Sequence, residues 1–187
     1  GRAWVRCRLG EGGKGGDAAR PQIRIESSFG DTHPGSVHRR ELAERAKEGA
    51  AREGGFGARY FCTDICDGEA QGHDGMNYSL PSRDMMANMI EIHACATPFD
   101  GAVYIAGCDK SMPAHLMAAG RINIPCVVLP GGVMNAGPDL LTLEQIGAYS
   151  AMHERGEISE AQFRFNQPPA CPTSCYTPSM ATAAPSH

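Results

Sequence analysis

The chain has 187 residues, 17 Lys and Arg against 21 Asp and Glu, a formal net charge of -4 and 42% hydrophobic residues. That length holds one domain with its own core and is short for two. The acidic balance speaks against a nucleic-acid partner, whose phosphates want a basic face, and no apolar run approaches the ~20 residues of a membrane span.

No hydrophobic region of a signal peptide is visible near the N-terminus, so the expected compartment is the cytoplasm. There, cysteines read as thiols or metal ligands ahead of disulfides. Cys95 lies on a helical face and Cys126 inside an apolar run, and both read as buried small hydrophobes. Cys7 sits in an unpatterned tail and carries no functional reading.

Residues 1–20 are rich in Gly and Arg and low in periodicity, and read as a disordered leader. Gln22 to Glu26 fits a short strand, and the following loop, Ser27 to Val37, carries the turn formers Gly30, Asp31, Pro34 and Gly35. Arg39 to Arg52 is predicted helical: Leu42, Ala43, Ala46 and Ala50 fall on one face and Gly54-Gly55 end it. Gly57 to Cys62 reads as a strand running into a polar loop, Thr63 to Tyr78, with Asp64, Asp67, Glu69, His73 and Asp74. Ser82 is placed as the cap of the next helix, with Met85, Met86, Met89, Ile90 and His93 on its apolar face.

Ala102 to Ala106 is the next strand, and Gly107-Cys108-Asp109-Lys110-Ser111-Met112-Pro113 turns it into a helix, Pro113 suiting the first turn. Asn123 to Leu129 reads as a further buried strand, followed by the glycine-rich turn Pro130-Gly131-Gly132. Thr142-x-x-Gln145 and Ser159-x-x-Gln162 are capping-box patterns opening two more helices. Asn166 to His187 is rich in Pro, Ala and Thr and contains Cys171 and Cys175. Alternating strands and helices predict an α/β fold, a three-layer α/β/α sandwich with a mainly parallel sheet. The loops after its strands should then converge on one crevice.

The residues in those loops are metal-binding types. Asp67, Glu69, Asp74 and Asp109 are oxygen donors suited to Mg²⁺, and Cys108 is a soft donor suited to iron or zinc. A lone acid in such a loop is ordinarily a solvated side chain. A thiol, a carboxylate and an amine in consecutive positions after a buried strand point instead to a site. Lys110 there reads as a salt-bridge partner, a base or the bearer of a covalent adduct. Cys62, Cys66, Cys171 and Cys175 also form two Cys-x-x-x-Cys pairs, which permit a zinc or thiol module.

Several phrases in the chain resemble the dihydroxy-acid and sugar-acid dehydratase family. They are His38-Arg39-Arg40-Glu41-Leu42-Ala43-Glu44; Cys66-Asp67-Gly68 leading to Gly72-His73-Asp74-Gly75-Met76; Tyr78 to Arg83; Gly107-Cys108-Asp109-Lys110 with Pro113; Asn123-Ile124-Pro125; and Ala170-Cys171-Pro172. The resemblance covers about residues 21–173. It implies elimination of water from a small-molecule 2,3-dihydroxy carboxylate to give a 2-keto acid, with an iron–sulfur cluster (2Fe-2S or 4Fe-4S) and Mg²⁺ as cofactors. It further implies Asp67 and Asp109 as Mg²⁺ ligands, Lys110 as a ligand in carbamate form and catalytic, Cys108 on the cluster, and Ser82 and Arg83 at the substrate.

Two positions depart from the family's pattern. Gly35 stands where the family's first cluster cysteine falls, which leaves Cys66 or Cys62 to substitute, and Thr177 stands at the last, which leaves Cys175. Family members run to roughly three times this length, so residues 21–187 are expected to be an N-terminal metal-binding domain that lacks a β-rich C-terminal domain, with a truncated chain inactive alone as the alternative reading. A homo-oligomer is expected of the full-length protein. The wording around Gly35 and Gly55 to Phe61 favours a pentonate as substrate, with the branched-chain dihydroxy acid as the alternative.

Overall fold

The computed structural model describes residues 16–31, 33, 35–36, 38–132 and 143–166. The chain divides into two compact units, Gly1–Gly131 and Gly132–His187. In the first, β1 (Gln22–Ser28), α1 (Arg39–Arg52), β2 (Phe56–Cys62), the short α2 (Asp67–Ala70), α3 (Ser79–Ala96), β3 (Gly101–Ala106), α4 (Ser111–Ile122) and β4 (Cys126–Pro130) follow one another. The strands form one sheet in the order β2-β1-β3-β4, and every pairing is parallel.

This order fixes where the helices lie. From β1 the chain moves outward to β2, and from β3 it moves outward the other way to β4. Right-handed crossovers can satisfy both only with helices on opposite faces. On one face Ala43 of α1, with Leu42 and Ala46, packs on Ile23, Ile25, Val103 and Ile105. On the other, Met86, Ala87 and Ile90 of α3 and Ala114 and Ala118 of α4 pack on Cys62, Ala102 and Tyr104. The three-layer parallel sandwich expected from the sequence is the architecture observed. Strand order reverses between β1 and β3, so the crevice lies at their carboxyl ends.

The alternation along β1 puts Arg24 and Glu26 on the face away from α1. Both are buried, and Arg24 Nη2 donates to Glu26 Oε2. The Arg24 guanidinium lies 4.3 Å from the Tyr60 ring centroid and 5.6 Å from that of Phe99, so aromatic faces replace part of its lost hydration.

The helix at Arg39–Arg52 coincides with its prediction, while other boundaries and burials differ. Asp17–Ala19, inside the stretch read as a leader, form a 3-10 turn whose Asp17 carbonyl accepts from Gln22 Nε2 at 2.8 Å. The loop Thr63 to Tyr78 contains α2 and a second 3-10 turn, Asp74–Tyr78. Helix α3 begins at Ser79, so Ser82 is an interior residue, its hydroxyl donating to the Ser79 carbonyl at 2.6 Å. Met86 and Ile90 are core residues, but Met85 and Met89 are 64% and 41% exposed because the α3 face that meets the sheet runs through Met86, Ala87, Ile90 and Ala94. Cys95 lies off that face and is exposed. Cys126 is exposed as well: β4 is the last strand of the sheet, with Val127 62% exposed, and is not the buried strand its composition predicts.

In the second unit, α5 (Leu143–Glu154) and α6 (Glu160–Asn166) are joined by a tight turn. The capping box before α6 forms as predicted, Gln162 N donating to Ser159 Oγ at 3.3 Å and Ser159 N to Gln162 Oε1 at 3.1 Å. His153 stacks on Phe163 with ring centroids 5.0 Å apart. Thr142, the cap expected for α5, lies outside the described residues.

Candidate metal centre

The turn between β3 and α4 is held in a costly conformation. Cys108 has φ 67°, in the left-handed region where a side chain costs roughly 1–2 kcal/mol. Such strain persists only where the surroundings impose it. It puts Asp109 and Lys110 at the start of α4, over the crevice. Lys110 Nζ donates to Asp67 Oδ2 at 2.7 Å and also to Asp109 Oδ2. Asp67, the first residue of α2, is 7% exposed, and the same Oδ2 accepts from Ser79 Oγ at 2.8 Å. Its other oxygen, Oδ1, is buried with no hydrogen-bond partner. Partial burial pulls the Lys110 ammonium down, but its hydrogen bonds to Asp109 and Asp67 outweigh that, and the net shift is upward. The structure therefore brings Asp67, Asp109 and Lys110 together around one point.

Beneath them lies a buried polar hub. Arg39, 1% exposed in the first turn of α1, directs its Nη1 to Ser28 Oγ, to Asp64 Oδ2 at 3.0 Å and to Ser111 Oγ at 3.4 Å. A Cβ added at Gly107 would stand 2.8 Å from Arg39 Nη2, and one at Gly131 would stand 3.2 Å from Nε. Glycine at both positions lets the backbone close on the guanidinium. One side chain thus reaches the carboxyl ends of all four strands. Asp64 Oδ1 also accepts from Ser36 Oγ at 2.6 Å, tying in the loop after β1. Sequence reasoning missed this hub, since an arginine opening a helix reads as solvated.

The remaining predicted residues are spread more widely. Cys66 is buried and lines a cavity of 560 Å³ with His33, Asp64, Glu69, His73 and Tyr78. Cys62 lies apart from that cavity's lining: its sulfur is within 4.8 Å of donor atoms of Glu26 and His115, on the α3–α4 face of the sheet. Ser82 and Arg83 are engaged within α3, Arg83 Nη2 lying 2.9 Å from Asp84 Oδ1. Gly35 is buried and donates its N–H to His33 Nδ1 at 3.0 Å. Cys171, Cys175 and Thr177 lie outside the described residues.

The strain at Cys108 gives a direct test. Cys108→Ala loses the thiol and keeps the unfavourable backbone, whereas Cys108→Gly relieves it. The glycine variant is expected to be the more stable of the two by about 1 kcal/mol, read as the difference in urea midpoints at equal slope. Equal midpoints would show that the turn carries no strain.

Residues 20–186 match the family model described as dihydroxy-acid/6-phosphogluconate dehydratase N-terminal. Among curated proteins, the chain is 43% identical over 152 residues to dihydroxy-acid dehydratase 1 of Methanosarcina acetivorans, covering 78% of this chain and 27% of that protein. It is 42% identical over 171 residues to a dihydroxy-acid dehydratase of Caldanaerobacter subterraneus, covering 88% and 30%. A third, from Methanothermobacter thermautotrophicus, is 42% identical over 163 residues, covering 83% and 29%. The chain thus spans less than a third of the length of these relatives.

Proposed function

Because the chain belongs to the dihydroxy-acid/6-phosphogluconate dehydratase family, we propose that it is the metal-binding part of a hydro-lyase that removes water from a 2,3-dihydroxy carboxylate. The observation that carries this reading is the gathering of Asp67 and Asp109 about Lys110, with Asp67 Oδ1 buried and unpartnered. An orphaned carboxylate oxygen is costly unless a cation completes it. Asp67 and Asp109 would hold Mg²⁺, with Lys110 supplying an oxygen anion as its carbamate in place of the ammonium. When bound, the ion supplies Lewis-acid polarisation of hydroxy-carboxylate oxygens.

The chain's own residues prepare that place. Ser79 fixes the rotation of Asp67 by its 2.8 Å hydrogen bond. The lysine holds both carboxylates on one point in the absence of the ion. Cys66 and Cys108 are the described thiols on the loops at the carboxyl ends of β2 and β3, and two thiols fall short of the set that an iron–sulfur cluster takes.

The names of the relatives support a branched-chain dihydroxy acid as substrate over the pentonate favoured by the sequence wording. Two measurements test the reading. Asp67→Asn in this chain is expected to weaken Mg²⁺ binding by about tenfold or more in calorimetric titration; unchanged binding would overturn the site. The gene product that carries the chain is expected to form 2-keto acid from 2,3-dihydroxyisovalerate. Turnover of xylonate alone would overturn the substrate.

A further inference from the structure

We propose that Glu26, Cys62 and His115 form a second cation site, for one thiophilic divalent ion of the zinc type, enclosed between the sheet and the helices α3 and α4. This rests on a separate set of residues and does not depend on the dehydratase reading. The three side chains come from β1, the last residue of β2 and the second turn of α4. One carboxylate oxygen, one sulfur and one imidazole nitrogen all lie within 4.8 Å of one another. Glu26 is 1% exposed, Cys62 3% and His115 0%.

The imidazole is held in the tautomer that a metal-bound histidine takes. His115 Nδ1 lies 2.6 Å from the Ser111 carbonyl, an acceptor only, so Nδ1 carries the proton and Nε2 the lone pair. Nε2 is buried and has no hydrogen-bond partner. A second ring nitrogen fixed on a backbone carbonyl is the usual support of a ligating histidine. Sulfur, nitrogen and oxygen donors together suit zinc, which takes three protein ligands and one water in a tetrahedral shell, its bonds of ~2.0–2.3 Å putting ligand atoms about 3.5 Å apart. Side-chain shifts of about an ångström close the observed spacing to that.

The charge also balances. Cys62 is a free thiol, which burial and the neighbouring Glu26 keep protonated. Burial raises the Glu26 carboxyl against the pull of Arg24. A divalent ion held by the Cys62 thiolate and the Glu26 carboxylate is neutralised by those two ligands, so the loaded site carries no net charge of its own in the core.

Co²⁺ is the probe, added to the chelator-treated 187-residue chain in a Cys66→Ser/Cys108→Ser background that removes the described thiols on the crevice loops. One equivalent is expected to give the visible bands of tetrahedral cobalt with a near-ultraviolet thiolate-to-cobalt band. Cys62→Ser should abolish the thiolate band, and His115→Asn should weaken binding by about tenfold or more. No thiolate band in the background chain, or the same band after Cys62→Ser, would overturn the proposal. Should Cys62→Ser fail to fold, X-ray absorption of the zinc-loaded background chain decides instead. One sulfur with imidazole in the shell supports the site, and a shell with no sulfur or with several overturns it.

Discussion

Arg39→Met is expected to destabilise the chain by roughly 3–5 kcal/mol, the cost of stranding one partner of a buried ion pair. Methionine fills much of the same volume, so the loss is one of charge and hydrogen bonds. Asp64, whose side chain is 1% exposed, would keep Ser36 but lose its cation, and Ser28 and Ser111 would lose a shared donor. Asp64→Asn alone should also cost stability. The double variant Arg39→Met/Asp64→Asn should cost less than the two singles added, because each single leaves a lone buried charge and the double leaves none. Arg39→Lys is expected to restore only part of the loss, since it returns a cation to Asp64 but not the planar guanidinium that the backbone at Gly107 and Gly131 closes on. Urea unfolding checks all four variants. A loss below about 1 kcal/mol for Arg39→Met would show that the hub is solvated rather than buried.

The second large effect is a pH dependence that two buried groups conceal from each other. Burial raises Glu26 from 4.5 to about 7, with Arg24 opposing the rise. Burial lowers His115 from 6.5 to about 4, against the pull of its hydrogen bond to Ser111, with Arg39 and Arg24 lowering it further and Asp64 raising it. Between pH 4.5 and 7 the folded chain holds a proton on Glu26 that the unfolded chain has released, so stability falls as pH rises. Between pH 4 and 6.5 the unfolded chain holds a proton on His115 that the folded chain excludes, so stability rises with pH. Each effect is about 3 kcal/mol across its window, of opposite sign.

In the metal-free chain they cancel over the shared range. Glu26→Gln removes one arm and should make the variant progressively less stable than wild type as pH falls from 6.5 to 4. His115→Asn should do the reverse. Cys62 stays protonated throughout. Chemical denaturation at several pH values reads the difference, and parallel curves for wild type and Glu26→Gln would refute the assignment.

How much of this was legible in the sequence depends on what each residue needed from distant chain. The α1 helix was fully readable because Leu42, Ala43, Ala46 and Ala50 repeat at helical spacing and glycines stop it. The turn at Cys108–Lys110 was readable because a β-rich run precedes it and a proline follows. That Asp67 would meet Lys110 was carried by family resemblance and not by spacing, since 43 positions separate them. Arg24 and Glu26 alternate with Ile23 and Ile25, which in a two-layer protein marks a wet face; only the arrival of α3 and α4 on that face makes them buried. Cys126 failed in the opposite direction. Its neighbours Val127, Val128 and Leu129 have the composition of an inner strand, yet β4 closes the described sheet at its rim.

The place of β1 has a consequence for how the polypeptide is made. It leaves the ribosome before the three strands it shares a sheet with, yet it lies between β2 and β3, and one of its two sides is covered only by residues 79–122. During translation Arg24 and Glu26 therefore remain in water until residues 79–122 have emerged, and the closing of the interior waits on that later segment. A split-protein version severed between Thr63 and Gly101 would leave the first strand's home in two pieces, neither able to shelter it alone.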